Sequence, residues 1–538
     1  MPEQSSTEFD YVIVGSGAGG AVVANRLSAD PRHRVLLIEA GGPGRNPMHL
    51  VPKGFYFTMN DPRSATTYST EEYGDGQVAT WPRGRVLGGS TTINGMVWNR
   101  GWAPDYDAWE ARGLEGWNWD RFLQAFKELE DHELGAGPYR GKGGPVSVSI
   151  ARPTEEVSDA LIEAMGTHGI GFVEDPNGSD DERVGYVASS IRRGTRVSTA
   201  RAFLRPARRR PNLTVVTGTT ADRLVLDGTR VVAVEARRKG RPVTYRVARE
   251  VIVAGGPLES PQLLERSGIG RPDVLEAAGI PVRVASPKVG ENLREHRGIQ
   301  LQVRLKGAAG YNRQASSFVR QMWAGFKYLF TRRGLIAFGG YNVVANWRSD
   351  PAAERPDTHV FFTPISTSRV NPISGRLVVD SFPGARMVVS PTFPTSEGSI
   401  HVTSPDPDAA PRIVPNFMAT QHDRDLIPKV LEKARAILAT EPFSRLVAEE
   451  LEPGPALPPK ADVADFALNK GVAGIHTLGT CSIGPDADDV VDGRLRVRGV
   501  EGLRVVDSSV FPAMPSGNCS APTQALAWIA SGLILEDA

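Results

Sequence analysis

One stretch near the N-terminus constrains this chain more than any other. Tyr11-Val-Ile-Val14 is a β-branched apolar run, the kind that forms a strand buried on both faces. It leads directly into Gly15-Ser-Gly17-Ala-Gly-Gly20, a G-x-G-x-x-G pattern, and Ala21-Val-Val-Ala-Asn-Arg-Leu27 follows with helical spacing. Asp30-Pro31 stops the helix, and a second apolar strand, Val35-Leu-Leu-Ile38, ends on Glu39. Each part has a physical job. Gly15 permits a tight turn, Gly17 lets the backbone approach a pyrophosphate, and Gly20 lets helix and strand pack closely. The helix N-terminus offers unpaired N–H groups to the phosphates. Glu39 follows Gly20 by 19 residues, where an acid accepts hydrogen bonds from ribose hydroxyls. A dinucleotide with a free 2′-hydroxyl is expected. Glu39 disfavours NADP and leaves NAD and FAD open.

The 538 residues carry 62 basic and 61 acidic side chains, so no net field draws the chain to nucleic acid or anionic membrane. The basic run Arg205-Pro-Ala-Arg-Arg-Arg-Pro211 reads as a solvated helix end. Cys481 and Cys519 are the only cysteines, too few for a disulfide framework, and read as small core residues. The first ten residues are polar and acidic, unlike a secretory signal, and no run of apolar residues is long enough to span a bilayer. A cytoplasmic location without a transmembrane segment is expected. The short apolar run Met322-Trp-Ala-Gly-Phe-Lys-Tyr-Leu-Phe330 reads as a core or pocket-lining helix rather than a membrane foot.

Three further stretches narrow the cofactor. They are Gly84-Arg-Val-Leu-Gly-Gly-Ser-Thr-Thr-Ile-Asn-Gly95; Gly256-Pro-Leu-Glu-Ser-Pro-Gln-Leu-Leu-Glu-Arg-Ser-Gly-Ile-Gly270 with Val289-Gly-Glu-Asn-Leu293; and Val505-Val-Asp-Ser-Ser-Val-Phe-Pro512 with Gly517-Asn-Cys-Ser-Ala-Pro522. With the opening motif they resemble the glucose–methanol–choline (GMC) oxidoreductases, a family of FAD enzymes, from Asp10 to about Leu535. The resemblance implies an α/β protein: a discontinuous Rossmann-like FAD-binding domain (1–155, 195–297 and 472–538) and an α+β substrate-binding domain with an antiparallel sheet (156–194 and 298–471). The alternating run Ser399-Ile-His-Val-Thr403, bounded by turn residues, agrees with strands there.

Gly88 and Gly89 have no side chain to clash with a flat ring system, and Ser90 and Asn94 can hydrogen-bond phosphate or ring edge. In the family this loop passes the flavin, with the positions of Asn94 and Gly95 beside its reactive face, and Asp507 is a second cofactor-binding position. Some relatives attach FAD covalently through a histidine near this loop. No histidine stands between His49 and His132 here, so non-covalent FAD is expected.

The resemblance also gives Gly474-Ile-His-Thr-Leu-Gly-Thr-Cys481 a meaning. His476 and Asn518 match the family pair that faces the flavin from the substrate side. The expected reaction is oxidation of an alcohol to an aldehyde or ketone, with hydride transfer to flavin N5 and His476 as base. A histidine with a pKa near its ordinary value suits that proton, and an asparagine amide can donate to the developing alkoxide. The other eight histidines read as structural or surface residues, and no metal site is expected. The alternative is a hydroxynitrile-lyase-type or other non-redox lyase on the same fold. The electron acceptor is left open between O2 and an external acceptor, with a lean toward a dehydrogenase. Phe338-Gly-Gly-Tyr-Asn-Val-Val344 has no acid to meet a quaternary ammonium, which favours a neutral primary alcohol over choline. Trp98, Phe338 and Tyr341 are candidate pocket residues.

Overall fold

The apolar run that begins the chain forms the middle of a sheet. In a computed structural model, which describes residues 8–150, 152, 155–370, 377–457 and 461–538, strand β1 (Glu8–Val14) pairs in parallel with β2 (Val35–Glu39). Helix α1 (Gly20–Leu27) crosses between them. Strands β3 (Leu213–Thr217), β4 (Thr219–Asp227), β5 (Arg230–Arg238) and β6 (Arg241–Val253) complete the order β3-β2-β1-β6-β5-β4. A short strand, Leu503–Val505, adds in parallel to β6, so the far end of the chain joins the same sheet. β1 and β2 are buried almost throughout, which explains their continuous apolar sequence.

The second sheet follows a different rule. Strands β7 (Arg297–Leu305), β8 (Val343–Trp347), β9 (Thr358–Thr363), β10 (Gly384–Pro391) and β11 (Val447–Glu452) run β11-β7-β10-β9-β8, and every pair among them is antiparallel. The short strands Arg183–Tyr186 and Gly171–Phe172 extend it beyond β8. The mixed α/β class with an antiparallel second sheet is therefore as expected. Ser399–His401 is a strand as its alternation implied, paired with Arg412–Val414. Cys481 and Cys519 are buried and free, and burial pushes both thiols well above the ordinary range. Arg205, Arg208 and Arg209 are exposed at the end of a short helix.

One expectation is overturned. The run Met322–Phe330 lies in helix α2 (Phe318–Thr331), and that helix is at the surface. Only Tyr328 is buried, anchored through its hydroxyl to the Gly194 carbonyl. Phe318 is 72% exposed, Trp323 68% and Phe330 75%. Composition alone put these residues inside, but the side of the helix that Tyr328 docks carries few of them. Among the described residues no helix is long and apolar enough to cross a membrane.

Candidate active site

The two sheets enclose one long cavity of about 920 Å³, and its two ends are built differently. At the dinucleotide end the wall is backbone. Gly15 has φ +100°, and a Cβ there would lie 2.3 Å from the Ala254 carbonyl oxygen. A Cβ on Gly20 would lie 1.9 Å from the Gly15 carbonyl oxygen, so helix and loop meet this closely only because residue 20 is glycine. Gly17 meets nothing within 4 Å: its missing side chain leaves open cavity, as a phosphate requires. Glu39 is buried at the end of β2, where its carboxylate accepts from Ser16 and, at 2.7 Å, from Gly41 N. Ser16 Oγ also accepts from Gly88 N at 3.0 Å, so the two glycine-rich loops are tied together. The sequence motif left Ser16 as an unspecified position.

Gly89, Ser90, Asn94 and Gly95 line the cavity. Gly89 comes so close to the first loop that a Cβ there would lie 2.7 Å from Gly17 Cα. Gly88 does not line the cavity; at φ +94° it turns the loop instead. Ser90 Oγ accepts from Gly84 N at 3.0 Å, and Asn94 Oδ1 accepts from Arg196 Nη1 at 2.8 Å, which leaves the Asn94 amide donors free. Asp507 caps the short turn Ser508–Val510 through Ser509 N and also accepts from Gly256 N and Ser260 Oγ at the cavity wall. Turn capping and cavity lining are both properties of this one residue. The glycine cradle, the buried carboxylate at the end of β2 and the volume of the cavity fit an FAD molecule lying across the loops.

At the other end the wall is side chains. His476 and Asn518, 42 residues apart, meet with Asn518 Nδ2 2.7 Å from His476 Nε2. His476 Nδ1 lies 3.0 Å from His296 Nδ1, the two rings stand at 90°, and His296 Nε2 is 3.2 Å from the Thr392 carbonyl oxygen. His359 also lines this end, with Nδ1 2.9 Å from Asn346 Nδ2 and a buried Nε2 that has no partner. The reading of all other histidines as structural or surface residues is thus corrected: His296 and His359 belong to this wall. His296 follows Val289–Leu293 by three residues, so proximity to that motif was an available signal. For His359 nothing local marked it.

Burial holds all three imidazoles neutral. It depresses His296 to about 4 and His359 to about 3, and His476 lies well below its ordinary value from burial and from the neighbouring histidines. Behind them Glu295 Oε1 accepts the backbone amides of His296 and His476, each at 2.8 Å. Burial raises the Glu295 carboxyl to about 7. Glu295, His296 and His476 each bring one ligand-type atom within 4.8 Å of the others. These atoms already hold one another or the backbone by hydrogen bonds, which accounts for the cluster without an ion. His476 itself follows Ile475, whose φ of +61° is strained for a β-branched residue.

Two pocket expectations fail. Trp98 lies in the hydrophobic core with its Nε1 donating to Glu130 Oε1 at 2.7 Å, because Glu130 also binds buried Arg100 and draws the indole away from the cavity. Phe338 ends a short 3-10 turn and is not on the cavity wall. Tyr341 does reach it, stacked on Phe361 with ring centroids 4.5 Å apart.

A dinucleotide cradle facing a neutral histidine–asparagine pair defines a class, the dinucleotide-dependent oxidoreductases. Comparison makes it particular. The GMC oxidoreductase family matches residues 9–297 and 394–527, and the chain belongs to that family. It is 37% identical to mitochondrial choline dehydrogenase of Homo sapiens, across 99% of this chain and 90% of the relative. It is 36% identical to the oxygen-dependent choline dehydrogenase of Chromohalobacter salexigens, across 97% and 94%. Among solved structures it resembles pyridoxine 4-oxidase from Mesorbium loti (30% identity, TM-score 0.86, 98% and 99% coverage) and a formate oxidase (25%, 0.89, 99% and 99%). The protein is an FAD-dependent oxidoreductase of alcohols, and these dehydrogenases and oxidases give the lyase alternative no support.

Proposed function

We propose that His476 takes the hydroxyl proton of a bound alcohol while Asn518 holds its oxygen. The observation that carries this is the direction of the hydrogen bonds leading to His476. The Thr392 carbonyl can only accept, so His296 carries its proton on Nε2. Neutral His296 then presents a bare Nδ1, and His476 must donate its own Nδ1 proton to it. That leaves His476 Nε2 as a lone pair facing the Asn518 amide at the cavity. A substrate hydroxyl that displaces the amide from this lone pair would donate to Nε2 and accept from Asn518 Nδ2. FAD, when bound, supplies the acceptor for the hydride leaving the carbinol carbon. The alcohol so loses a proton to His476 and a hydride from carbon, and leaves as a carbonyl compound. Glu295, when ionised, sits beside the imidazolium that forms and offsets its charge.

In this reading residues 1–155, 195–297 and 472–538 bind FAD, and 156–194 and 298–471 bind substrate. FAD is held non-covalently: the histidines lining the cavity are His296, His359 and His476, all at the substrate end, and none is on the glycine-rich loops. Two of the named relatives are choline dehydrogenases, but among the described residues no carboxylate lines the cavity around His476, so the substrate carries no cationic group. The test is anaerobic titration of the flavin spectrum with a panel of alcohols including choline, followed by air. Bleaching by an alcohol other than choline is expected. A flavin that no alcohol bleaches would overturn the reading. Rapid return of colour in air would identify O2 as acceptor, and slow return another external oxidant. FAD remaining with the denatured chain would overturn non-covalent binding.

A further inference from the structure

The substrate wall contains a cation that no acid among the described residues neutralises. Side chains alternate across β10, so Ser390, Val388 and Arg386 share the cavity face. Ser390 lies opposite His359, and Val388 opposite Phe361, so the row leads away from the histidine cluster. Arg386 is only 8% exposed, and its one side-chain hydrogen bond among the described residues is long, from Nη1 to Thr367 Oγ1 at 3.4 Å. Its Nε is buried without a partner. Among the described residues it forms no ion pair. Lys53 stands near enough for the two charges to oppose each other; among the described residues it too has no carboxylate partner, and its ammonium donates to the Gly339 carbonyl at 2.6 Å. The four acids on the cavity wall are used elsewhere: Glu39 on Ser16, Glu259 on Tyr68, Asp408 on Arg237 and Asp507 on Gly256. A guanidinium buried with one weak acceptor is costly unless a ligand completes it.

We infer that Arg386 receives the carboxylate of the substrate, and that the protein oxidises hydroxycarboxylates whose hydroxyl and carboxylate stand at opposite ends of a chain. The inference rests on the alcohol-oxidising reading of the site. Arg386 stands four residues from Ser390, roughly 13 Å along an extended strand, which sets a separation on the order of 10 Å once the arginine side chain reaches back. Tyr341, Phe361 and Val388 between the ends suit an apolar chain. The planar fork of the guanidinium matches a carboxylate with two parallel hydrogen bonds. Burial lowers Lys53 to about 7, so a bound anion would hold its proton in place.

The test compares ω-hydroxydecanoate with decanol on the FAD-loaded enzyme, and uses sebacate, which has no hydroxyl, as a non-reacting ligand read by the shift of the flavin spectrum. The hydroxyacid is expected to exceed decanol roughly 10- to 100-fold in kcat/KM, the worth of a charged buried hydrogen bond, and R386M should erase that difference. R386K, which keeps the charge, should retain part of it and covers the case in which R386M loses its flavin. Equal rates with both alcohols would overturn the inference and leave the alcohol reading standing. If neither alcohol bleaches the flavin but sebacate binds the wild type and not R386M, the alcohol reading falls and the anion site stands. Sebacate binding unchanged in R386M would overturn the site.

A separate surface carries a second inference. Met322, Trp323, Phe326, Leu329 and Phe330 form an exposed ridge along α2, with Trp323 stacked on Phe326 at 5.7 Å. Arg313, Arg320, Lys327, Arg332 and Arg333 are exposed around it, and none forms an ion pair among the described residues. No acid occurs between Lys306 and Arg348. We propose that α2 seats this ridge in an anionic lipid surface, the basic residues meeting the headgroups. The purified protein should sediment with phosphatidylcholine vesicles containing phosphatidylglycerol, and a W323S/F326S variant should do so about tenfold less. No binding to such vesicles, or binding unchanged in the variant, would overturn this. So would a dimer in lipid-free solution that the double substitution dissolves, since a second copy would then cover the ridge.

Discussion

The two ends of the cavity are built on opposite principles. At the dinucleotide end the chain withholds side chains: Gly15, Gly20 and Gly89 let backbone approach backbone to distances no Cβ would allow, and Gly17 leaves open cavity. At the substrate end the chemistry lies in side chains gathered from distant segments: His359 and Arg386 from strands of the second sheet, and His296, His476 and Asn518 from the loops beside it. The first construction is rigid and indifferent to what lies beyond it. The second is adjustable residue by residue, which suits the end where substrates differ.

The largest effect should come from the backbone end. Gly20→Val would drive Cβ into the Gly15 carbonyl, a clash of backbone on backbone that no rotamer relieves. We expect a loss of at least about 3 kcal/mol and a protein that retains no flavin. Gly17→Ala separates the two roles of the loop. Its Cβ meets no protein atom, so the melting temperature of the FAD-free protein should hold while FAD binding is lost. A Gly17→Ala protein that stays yellow would refute the cradle at that position.

At the side-chain end, His476→Ala should keep FAD and slow anaerobic flavin reduction by roughly 10²- to 10⁴-fold, the worth of a general base, or about 3–5 kcal/mol. Flavin reduction at the wild-type rate would remove His476 from the mechanism.

The same contrast explains what could be read from the sequence. Gly15–Gly20, the strand before it and Glu39 lie within one short stretch, so their spacing alone pointed to the dinucleotide. The substrate wall has no such stretch. His359 and Arg386 reach the cavity only because β9 and β10 pair in one register, with Ser390 opposite His359. A shift of one residue would turn both side chains to the other face. That register belongs to long-range pairing and leaves no mark near either residue. The misplacement of α2 has the same origin: its composition is that of a buried helix, and what decides its exposure is the surface to which Tyr328 fastens it.

Glu295 lies behind the side-chain wall, and its effect is smaller and depends on pH. Burial raises its carboxyl from 4.5 to about 7. The folded protein therefore holds this proton where the unfolded chain has lost it. The stability linked to the group is fully present below about pH 4.5 and declines as pH rises through about 7, by about 3 kcal/mol in all. Glu295→Gln cannot ionise, so the fall in unfolding free energy between about pH 5 and about pH 8, read from urea melts, should shrink by about 2.5 kcal/mol, the part of that loss within this range. An unchanged difference would mean that the carboxyl is ionised across the whole range.

The smallest effect should come from a residue outside both ends. Trp98 donates to Glu130 at 2.7 Å, and Glu130 in turn binds Arg100 through both its oxygens in a fully buried pair. Trp98→Phe keeps most of the ring volume and removes one donor to a carboxylate that Arg100 still satisfies. A loss of about 1–2 kcal/mol follows, seen as a lower melting temperature, with KM for the alcohol unchanged. Tyr341→Ala is the companion, because it removes the ring stacked on Phe361 at the cavity wall and should raise KM. Together the two substitutions mark the edge of the substrate wall. A raised KM in Trp98→Phe without loss of stability would move that edge past Trp98 and return it to the pocket.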